Sequence, residues 1–170
     1  MRPDPSEFAP YYGKYIDLVP ESDILAALQQ QSSETQKLLA SLDEERASYR
    51  YEPGKWSVKE LFGHVIDAER IFGYRAVAIA RGETKSLPGY DENVYAENGR
   101  FDLWRIGDLS ESYALIRRSN VVAFSHFPDE AWGRPGVANG NPVTARAIAF
   151  TMLGHERHHL NVLRERYRIG

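Results

Sequence analysis

The sequence predicts an all-α fold, a four-helix bundle formed by a single domain over residues 1–170. Three observations lead to this prediction. Four long segments carry apolar residues at helical spacing, and no segment shows a convincing strand pattern. With 170 residues, 42% of them apolar and 26% charged, the chain has the size and composition of one globular domain. No repeat, low-complexity run or interdomain linker divides it.

The first two helices are predicted from their apolar spacing and, for the second, from its start. The first runs over about residues 22–42, where leucine and isoleucine recur at mostly helical intervals. The second runs over about residues 57–81. Ser57 can cap this helix, and Glu60, three residues further on, can complete a capping box. Gly82 follows its end.

The third and fourth helices are bounded by residues that start or stop helices. The third is expected to begin at Asp108 and to end before Pro128. In Asn141-Pro142, an asparagine that can cap a helix precedes a proline suited to the first helical position. This dipeptide predicts the start of the fourth helix, which should run to about Tyr167.

Composition excludes several classes of function. The net charge is −3 and the isoelectric point about 6.0, so no nucleic-acid partner is expected. The chain has no cysteine, which excludes disulfides, thiolate metal ligands and a cysteine nucleophile. A transition-metal site would therefore use histidine and carboxylate. No run of apolar residues is long enough to span a membrane, and the start, Met1 to Pro5, lacks the apolar core of a signal peptide. A cytoplasmic location is expected.

The segment "GHERHH", residues 154–159, holds three of the five histidines and matches the H-E-x-x-H pattern of zinc metalloproteases. His155 and His159 lie on a stripe of the fourth helix that is otherwise apolar, so both should point into the bundle. His158 lies on a polar stripe and should face solvent or a partner chain. A protease of this type takes its third ligand from further along the chain, but the eleven residues after His159 include no histidine and one carboxylate, Glu165.

His64 is the best candidate for a third ligand, because its helical neighbours in the second helix are largely apolar. A single inward histidine is more often a core residue with its own hydrogen bonds. Three inward histidines would each need a partner, since an unpaired buried polar group costs roughly 1–3 kcal/mol. One metal ion would satisfy all three. The sequence therefore predicts a metal site formed by His64, His155 and His159.

The positions of these histidines also predict the order of the helices. His64 lies near the start of the second helix and His159 near the end of the fourth. The two histidines lie at the same position along the bundle axis only if these helices run antiparallel. A long connection, residues 82–107, lies between the second and third helices and can cross the length of the bundle. A short helical turn is expected within it. The predicted order is therefore up-down-down-up, with a long crossover between helices 2 and 3.

Three segments give the sequence a resemblance to a known family. They are "GKWSVKELFGHVIDAERIFGYRAVAIAR" (54–81), "LPGYDENVY" (87–95) and "LGHERHHLNVLRERY" (153–167). Together they resemble the DinB-like superfamily, which includes the YfiT type of metal-dependent hydrolases. The resemblance extends over nearly the whole chain, including "YYGKYIDLVP" near the N-terminus.

The resemblance implies a four-helix bundle with a crossover between helices 2 and 3, and one divalent metal held by three histidines. Matched residue by residue, those ligands are His64, His155 and His159, the same set that the helical faces select. Together with the aromatic-rich N-terminal and loop segments, the resemblance also leads us to expect a homodimer.

The roles of the other polar residues stay open between two interpretations. Glu156 either assists chemistry at the metal or forms an ion pair with an arginine such as Arg70 or Arg75, and we favour the ion pair. Glu69 poses the same question and receives the same answer. Arg75 either meets an anionic substrate or only closes the end of the bundle. No catalytic residue is assigned.

Three functions are compatible with this site. Three neutral imidazoles leave open positions on a metal, which is typical of catalytic sites, and both zinc and nickel suit such ligands. The first function is hydrolysis of a small-molecule amide or ester. The second is transfer or isomerisation that uses a low-molecular-weight thiol bound as thiolate, chemistry that the resemblance suggests. The third is a metal-stabilised stress-response or interaction protein without turnover. Peptide cleavage is not expected.

Overall fold

A computed structural model describes residues 2–170; Met1, the first residue of the predicted domain, lies outside the described residues. Within this range the chain forms eight α-helices and one two-stranded hairpin. The helices are α1 (Gly13–Ile16), α2 (Ile24–Ala40), α3 (Glu44–Ser48), α4 (Val58–Ala80), α5 (Glu92–Gly99), α6 (Ile106–Phe124), α7 (Asp129–Trp132) and α8 (Ala145–Val162), and the strands are β1 (Pro135–Ala138) and β2 (Asn141–Thr144).

The four predicted helices correspond to α2, α4, α6 and α8, and the predicted order is confirmed. Apolar side chains near the starts of α4 and α6 pack with those near the ends of α2 and α8, in one cluster that includes Leu39, Leu61, Leu109 and Leu160. A second cluster joins the opposite ends and includes Ile24, Ile79, Phe124 and Ile148. Helices α2 and α8 therefore run antiparallel to α4 and α6, which is the up-down-down-up arrangement.

The connection between α4 and α6 crosses the length of the bundle, as predicted. It contains more structure than the single helical turn expected from the sequence. Helix α5 occupies Glu92–Gly99, and a 3₁₀ turn follows at Phe101–Leu103. The ring of Phe101 is buried in the same apolar cluster as the start of α4, so the connection is anchored to the bundle.

The predicted start of the fourth helix is wrong. Asn141 and Pro142 belong to β2, which pairs antiparallel with β1, and Thr144 caps α8 by accepting a hydrogen bond from the backbone N–H of Ala147 at 3.1 Å. The strands are joined by Asn139 and Gly140, both with positive φ (51° and 72°). This Asn-Gly pair is the preferred turn of a two-residue hairpin, so the expectation that no strand forms was also wrong.

The start of α4 matches the sequence-based prediction. The Ser57 hydroxyl accepts a hydrogen bond from the backbone N–H of Glu60 at 3.2 Å, and the Glu60 carboxylate accepts one from the backbone N–H of Ser57 at 2.6 Å. This reciprocal capping satisfies two N–H groups that a helix start leaves without helical partners. It fixes where α4 begins and therefore where His64 lies along the bundle.

The helices are too short or too polar for a transmembrane span. Among residues 2–170, none combines the length and apolar character needed to cross a bilayer.

Candidate metal centre

Three histidine rings from α4 and α8 converge inside the bundle. The Nε2 atom of His155 lies 3.0 Å from Nε2 of His64 and 3.1 Å from Nε2 of His159. One ring nitrogen from each histidine lies within 4.8 Å of the other two. The structure thus brings together all three residues that the sequence predicted, and we refer to them as the histidine cluster.

The spacing of these nitrogens fits a metal. Two nitrogens bound to one ion at about 2.0–2.1 Å lie roughly 2.9–3.4 Å apart for angles between octahedral and tetrahedral values. The two observed Nε2 distances, 3.0 and 3.1 Å, lie in that range. A neutral imidazole has one N–H and one lone pair, so three convergent Nε2 atoms cannot all be satisfied by hydrogen bonds to each other. The cluster can therefore hold a metal ion.

Burial keeps these histidines neutral at physiological pH. It lowers the pKa of His64 to about 4 and that of His159 to about 3, and it lowers the pKa of His155 well below its ordinary value. Charge repulsion between the rings lowers the pKa values of His155 and His159 further. Since only the neutral imidazole can coordinate a metal, the site does not need to release protons before binding one.

Aromatic rings surround the cluster. Trp56, just before α4, lies against the His64 ring with centroids 5.0 Å apart. Tyr15 of α1 and Phe72 of α4 contact the His155 ring edge to face, at 5.4 and 5.7 Å. The sequence did not reveal these neighbours, because α1 is only one turn long and Trp56 precedes the helix.

The position of α1 depends on a glycine. A Cβ atom on Gly154 would lie 2.0 Å from the backbone oxygen of Tyr15, so only glycine lets α1 approach α8 this closely. His155 follows immediately in the chain. Gly154 therefore allows the Tyr15 ring to cover the His155 ring.

A cavity of about 240 Å³ opens beside His155. Its walls come from the N-terminal segment, α4, the long connection and the hairpin turn. Aromatic side chains dominate the lining, and the charged ones are Arg75 and Glu92. Arg75 is buried whereas Glu92 is exposed to solvent. The histidine cluster is thus accessible to a small molecule from this side.

His158 is not part of the cluster. Its ring is half-buried, 5.5 Å from the Tyr15 ring and 5.1 Å from the His159 ring, rather than fully exposed on a polar face. The fifth histidine, His126, is exposed at the end of α6, where its Nδ1 lies 2.9 Å from the Val122 carbonyl oxygen.

A second polar group, the charge cluster, lies next to the histidines and consists of Glu69, Arg117 and Glu156. The Arg117 guanidinium donates to both carboxylate oxygens of Glu69 at 2.8 and 2.9 Å, and to Oε2 of Glu156 at 2.6 Å. All three side chains are at least 98% buried. Burial alone would lower the pKa of Arg117, but the charges of Glu156 and Glu69 raise it well above its ordinary value.

The ion pairs predicted for Glu156 and Glu69 exist, but the predicted partners, Arg70 and Arg75, are wrong. Arg70 pairs with Asp67 at the surface, at 2.8 Å, and the partner of both glutamates is Arg117 of α6. Arg117 shares one helical stripe with the buried residues Leu109, Tyr113, Asn120, Val121 and Phe124. A polar residue within an apolar stripe was the signal that identified the histidines, and it identifies Arg117 as well.

Other side chains complete the hydrogen bonding of the charge cluster, including that of the one carboxylate oxygen to which Arg117 does not donate. Oε1 of Glu156 accepts hydrogen bonds from the hydroxyls of Tyr113 at 2.7 Å and Thr35 at 2.5 Å. Oε1 of Glu69 accepts one from the Asn120 amide at 3.0 Å. Both oxygens of Glu156 are therefore occupied by protein donors.

Comparison with known proteins gives a match to one family model and solved structures of similar fold. Residues 27–163 match the family model of the DinB superfamily. YfiT from Bacillus subtilis, described as a probable metal-dependent hydrolase with an unusual four-helix bundle topology, superposes with a TM-score of 0.70. The two sequences are 16% identical, and the match covers 99% of this chain and 92% of YfiT. No curated protein gives a significant sequence match.

A mycothiol-dependent maleylpyruvate isomerase also has a similar structure. It matches with a TM-score of 0.66 and 16% identity, over 85% of this chain. The matched region spans 61% of the isomerase, so a large part of that enzyme has no counterpart here. A mutant form of the same isomerase gives the same TM-score at 18% identity. At these identities the likeness supports a shared fold.

Proposed function

The chain belongs to the DinB superfamily, and on that premise we propose that it is a metal-dependent enzyme that acts on a small molecule. Its proposed cofactor is one divalent transition metal, zinc or nickel, with His64, His155 and His159 as ligands. The observation that carries the proposal is the convergence of the three Nε2 atoms, with neighbouring distances of 3.0 and 3.1 Å.

The surroundings of the cluster support a catalytic site rather than a closed structural one. A bound divalent ion with three neutral ligands would act as a Lewis acid and lower the pKa of a water or thiol bound to it. The rings of Tyr15, Trp56 and Phe72 pack against the histidines, fix their orientation and limit the access of bulk water. The cavity beside His155 leaves room for a substrate on one side.

Two reactions fit this site. YfiT is described as a probable hydrolase and the isomerase as mycothiol-dependent, so relatives in fold are associated with hydrolysis and with thiol-dependent chemistry. We propose that this chain performs one of the two: hydrolysis of a small amide or ester, or transfer that uses a low-molecular-weight thiol. The three histidines would serve either reaction equally.

Peptide cleavage is not part of the proposal, although the chain contains His155-Glu156-x-x-His159. In metalloproteases with this motif, the glutamate accepts a proton from the reacting water. Glu156 has no free oxygen for this role, because Arg117, Tyr113 and Thr35 occupy both. It is also almost completely buried. We assign it to the charge cluster, where it holds α8 against α2 and α6.

A substrate panel tests the proposal. Zinc-loaded and nickel-loaded protein is incubated with simple esters and amides, with electrophiles plus a set of cellular thiols, and with casein. We expect metal-dependent turnover in one of the first two groups, lost in His64→Ala and retained in the control His126→Ala. Metal-dependent casein cleavage would contradict the assignment of Glu156. Inactivity throughout would favour the alternative, a metal-stabilised stress-response or interaction protein.

Two further expectations stay predictions. A homodimer is expected from the family, and light scattering that gives a mass of 19.4 kDa over a wide concentration range would contradict it. A cytoplasmic location is also proposed, and fractionation of cells that express the protein would test it.

A further inference from the structure

Arg75 is a buried cation without a carboxylate partner. Its side chain is 5% exposed, and Nη2 donates one hydrogen bond, to the Pro88 carbonyl oxygen at 2.6 Å. Among residues 2–170 no carboxylate lies within ion-pair distance of it. The other well-buried arginine, Arg117, has two carboxylates. Buried charges in proteins are generally paired, and a guanidinium has five N–H donors, so most of the binding capacity of Arg75 is unused by the protein.

Arg75 lines the same cavity as His155, one residue of the histidine cluster. Both Arg75 and His155 line the cavity of about 240 Å³, and Phe72, one turn before Arg75, contacts the His155 ring. Arg75 lies eleven positions after His64, which is about 16 Å along α4. Helical side chains lean toward the N-terminus of their helix, which is the direction of His64 from Arg75. A small molecule in the cavity can therefore contact Arg75 and His155 together.

The chain segment next to Arg75 is held in place by the fold. The backbone N–H of Leu87 donates to the Val137 carbonyl oxygen, and that of Asn139 donates to the Leu87 carbonyl oxygen, both at 2.9 Å. These bonds attach the start of the long connection to β1. The hydrogen bond from Arg75 to Pro88 then joins the same segment to α4. The cavity is thus bounded by paired backbone on this side.

Apart from Glu92, the rest of the lining is apolar or neutral. Tyr12, Tyr15, Phe72 and Tyr90 contribute aromatic rings, and burial raises the pKa of Tyr90 to about 12, so its hydroxyl keeps its proton at neutral pH. The one carboxylate in the lining, Glu92, is exposed to solvent and its charge is screened by water. Inside the cavity, the buried charge is therefore positive.

We propose that Arg75 binds the carboxylate of the substrate, which is a small organic acid with its reacting group toward the histidine cluster. A guanidinium matches a carboxylate with two parallel hydrogen bonds, and the aromatic rings would pack against the carbon skeleton between the two ends. The cavity is smaller than the roughly 300–1,000 Å³ of sites for drug-sized ligands, so the acid is correspondingly small. This inference rests on the proposed function, since it names the substrate class of the same site.

The test compares an acid with its uncharged analogue of the same shape. Binding of 3-phenylpropionate and of 3-phenylpropanamide to zinc-loaded protein is measured by calorimetry. We expect the acid to bind roughly 10- to 100-fold more tightly than the amide, the range for hydrogen bonds to charged groups. Arg75→Gln should remove most of this preference, and Arg75→Lys should keep part of it. The control Arg70→Gln, on the same helix but paired at the surface, should leave it unchanged.

Equal binding of acid and amide to the wild-type protein would overturn the proposal, as would failure of the acid to bind at millimolar concentrations. These outcomes do not depend on how well any variant folds. A preference for the acid that persists in a folded Arg75→Gln protein would also overturn it, because the carboxylate would then bind elsewhere, such as at the metal.

Repeating the titration with metal-free protein separates this inference from the proposed function. If the protein binds the acid more tightly than the amide both with and without zinc, and loses this preference in Arg75→Gln, the carboxylate site is supported. This holds even if no metal-dependent turnover is found. Zinc binding at the histidines together with a preference that does not depend on Arg75 supports the metal centre and contradicts the carboxylate site.

Discussion

The histidine cluster and the charge cluster are adjacent in the bundle, and they differ in whether the protein alone satisfies their polar atoms. Helices α4 and α8 contribute to both, with His64 and Glu69 on one helix and His155 and Glu156 on the other. In the charge cluster each carboxylate oxygen has a protein donor. In the histidine cluster three Nε2 atoms face each other.

This difference separates a structural polar group from a binding site. A buried ion network whose hydrogen bonds are all made within the protein holds helices in register and needs no ligand. Convergent lone pairs without enough donors are stabilised when a cation is added. We therefore propose different roles for two consecutive residues, His155 and Glu156, because they face different partners, although both are buried and polar.

The largest expected effect comes from breaking the charge cluster. Arg117→Ala would leave two carboxylates buried without their cation, and loss of one partner of a buried pair typically costs about 3–5 kcal/mol. Urea unfolding of metal-free protein should show this loss of stability. Arg118→Ala, an exposed neighbour on α6, is the control and should change stability little. Equal effects of the two substitutions would mean that the charge cluster is not structural.

Adding metal should stabilise the protein through the histidine cluster. A ligand that binds only the folded state at 100 to 1,000 times its dissociation constant adds about 2.7–4.1 kcal/mol. Thermal or urea unfolding with zinc and with a chelator should show a gain of this size in wild-type protein. His64→Ala should lose the gain, while metal-free stability changes less than in Arg117→Ala. If zinc stabilised His64→Ala as much as the wild type, the histidine cluster would not be the site at which zinc binds.

The histidine cluster should also contribute to the pH dependence of the free energy of unfolding. Burial lowers the pKa of His64 to about 4, whereas an unfolded histidine titrates near 6.5. Between these values the unfolded chain binds a proton that the folded metal-free protein does not, so stability falls as pH falls. The slope is at most about 1.4 kcal/mol per pH unit for each histidine.

His64→Ala should therefore make the metal-free stability less dependent on pH across this window. His126→Ala, which removes an exposed histidine, should leave the slope as in the wild type. Unfolding free energies measured from pH 4 to pH 7 test this prediction, and identical slopes for the two variants would refute it.

The smallest effect is expected at His158, whose ring lies beside that of His159 but which belongs to neither cluster. His158→Ala removes a half-buried ring that contacts Tyr15, so we expect a loss of stability of about 1 kcal/mol or less, with metal binding retained. Metal analysis and unfolding of this variant test the prediction. Loss of metal in His158→Ala, with His159→Ala still binding it, would show that the ligand face of α8 is wrongly assigned.

Much of the fold followed from the sequence because it depends on local patterns. Helical spacing predicted the four long helices, the capping box predicted the start of α4, and the level of His64 and His159 predicted the order of the helices. The hairpin was missed although Asn139-Gly140 is a local signal, because Asn141-Pro142 was taken as a helix start. The single domain over residues 1–170 stays a prediction.

The site was predictable only in part. Helical faces identified which histidines point inward, since that depends on one helix at a time. Arg117 carries the same local signal as the histidines, a polar residue on an otherwise apolar stripe, but its pairing with Glu156 depends on how α6 packs against α8, which local spacing does not determine. The position of α1 and that of the segment at Leu87 and Pro88, which leads into the cavity wall, likewise arise from contacts between distant segments. Nothing in the local sequence identified Tyr15 as a neighbour of His155.

The metal content of two histidine variants shows directly whether the three histidines form a metal centre. The chain, His64→Ala and His126→Ala are purified identically, equilibrated with zinc and analysed for bound metal per chain. We expect one zinc per chain in the wild type and in His126→Ala, and a fall of about tenfold or more in His64→Ala, because one of three ligands is lost. One zinc per chain retained in His64→Ala would contradict the proposal that His64, His155 and His159 form a metal centre.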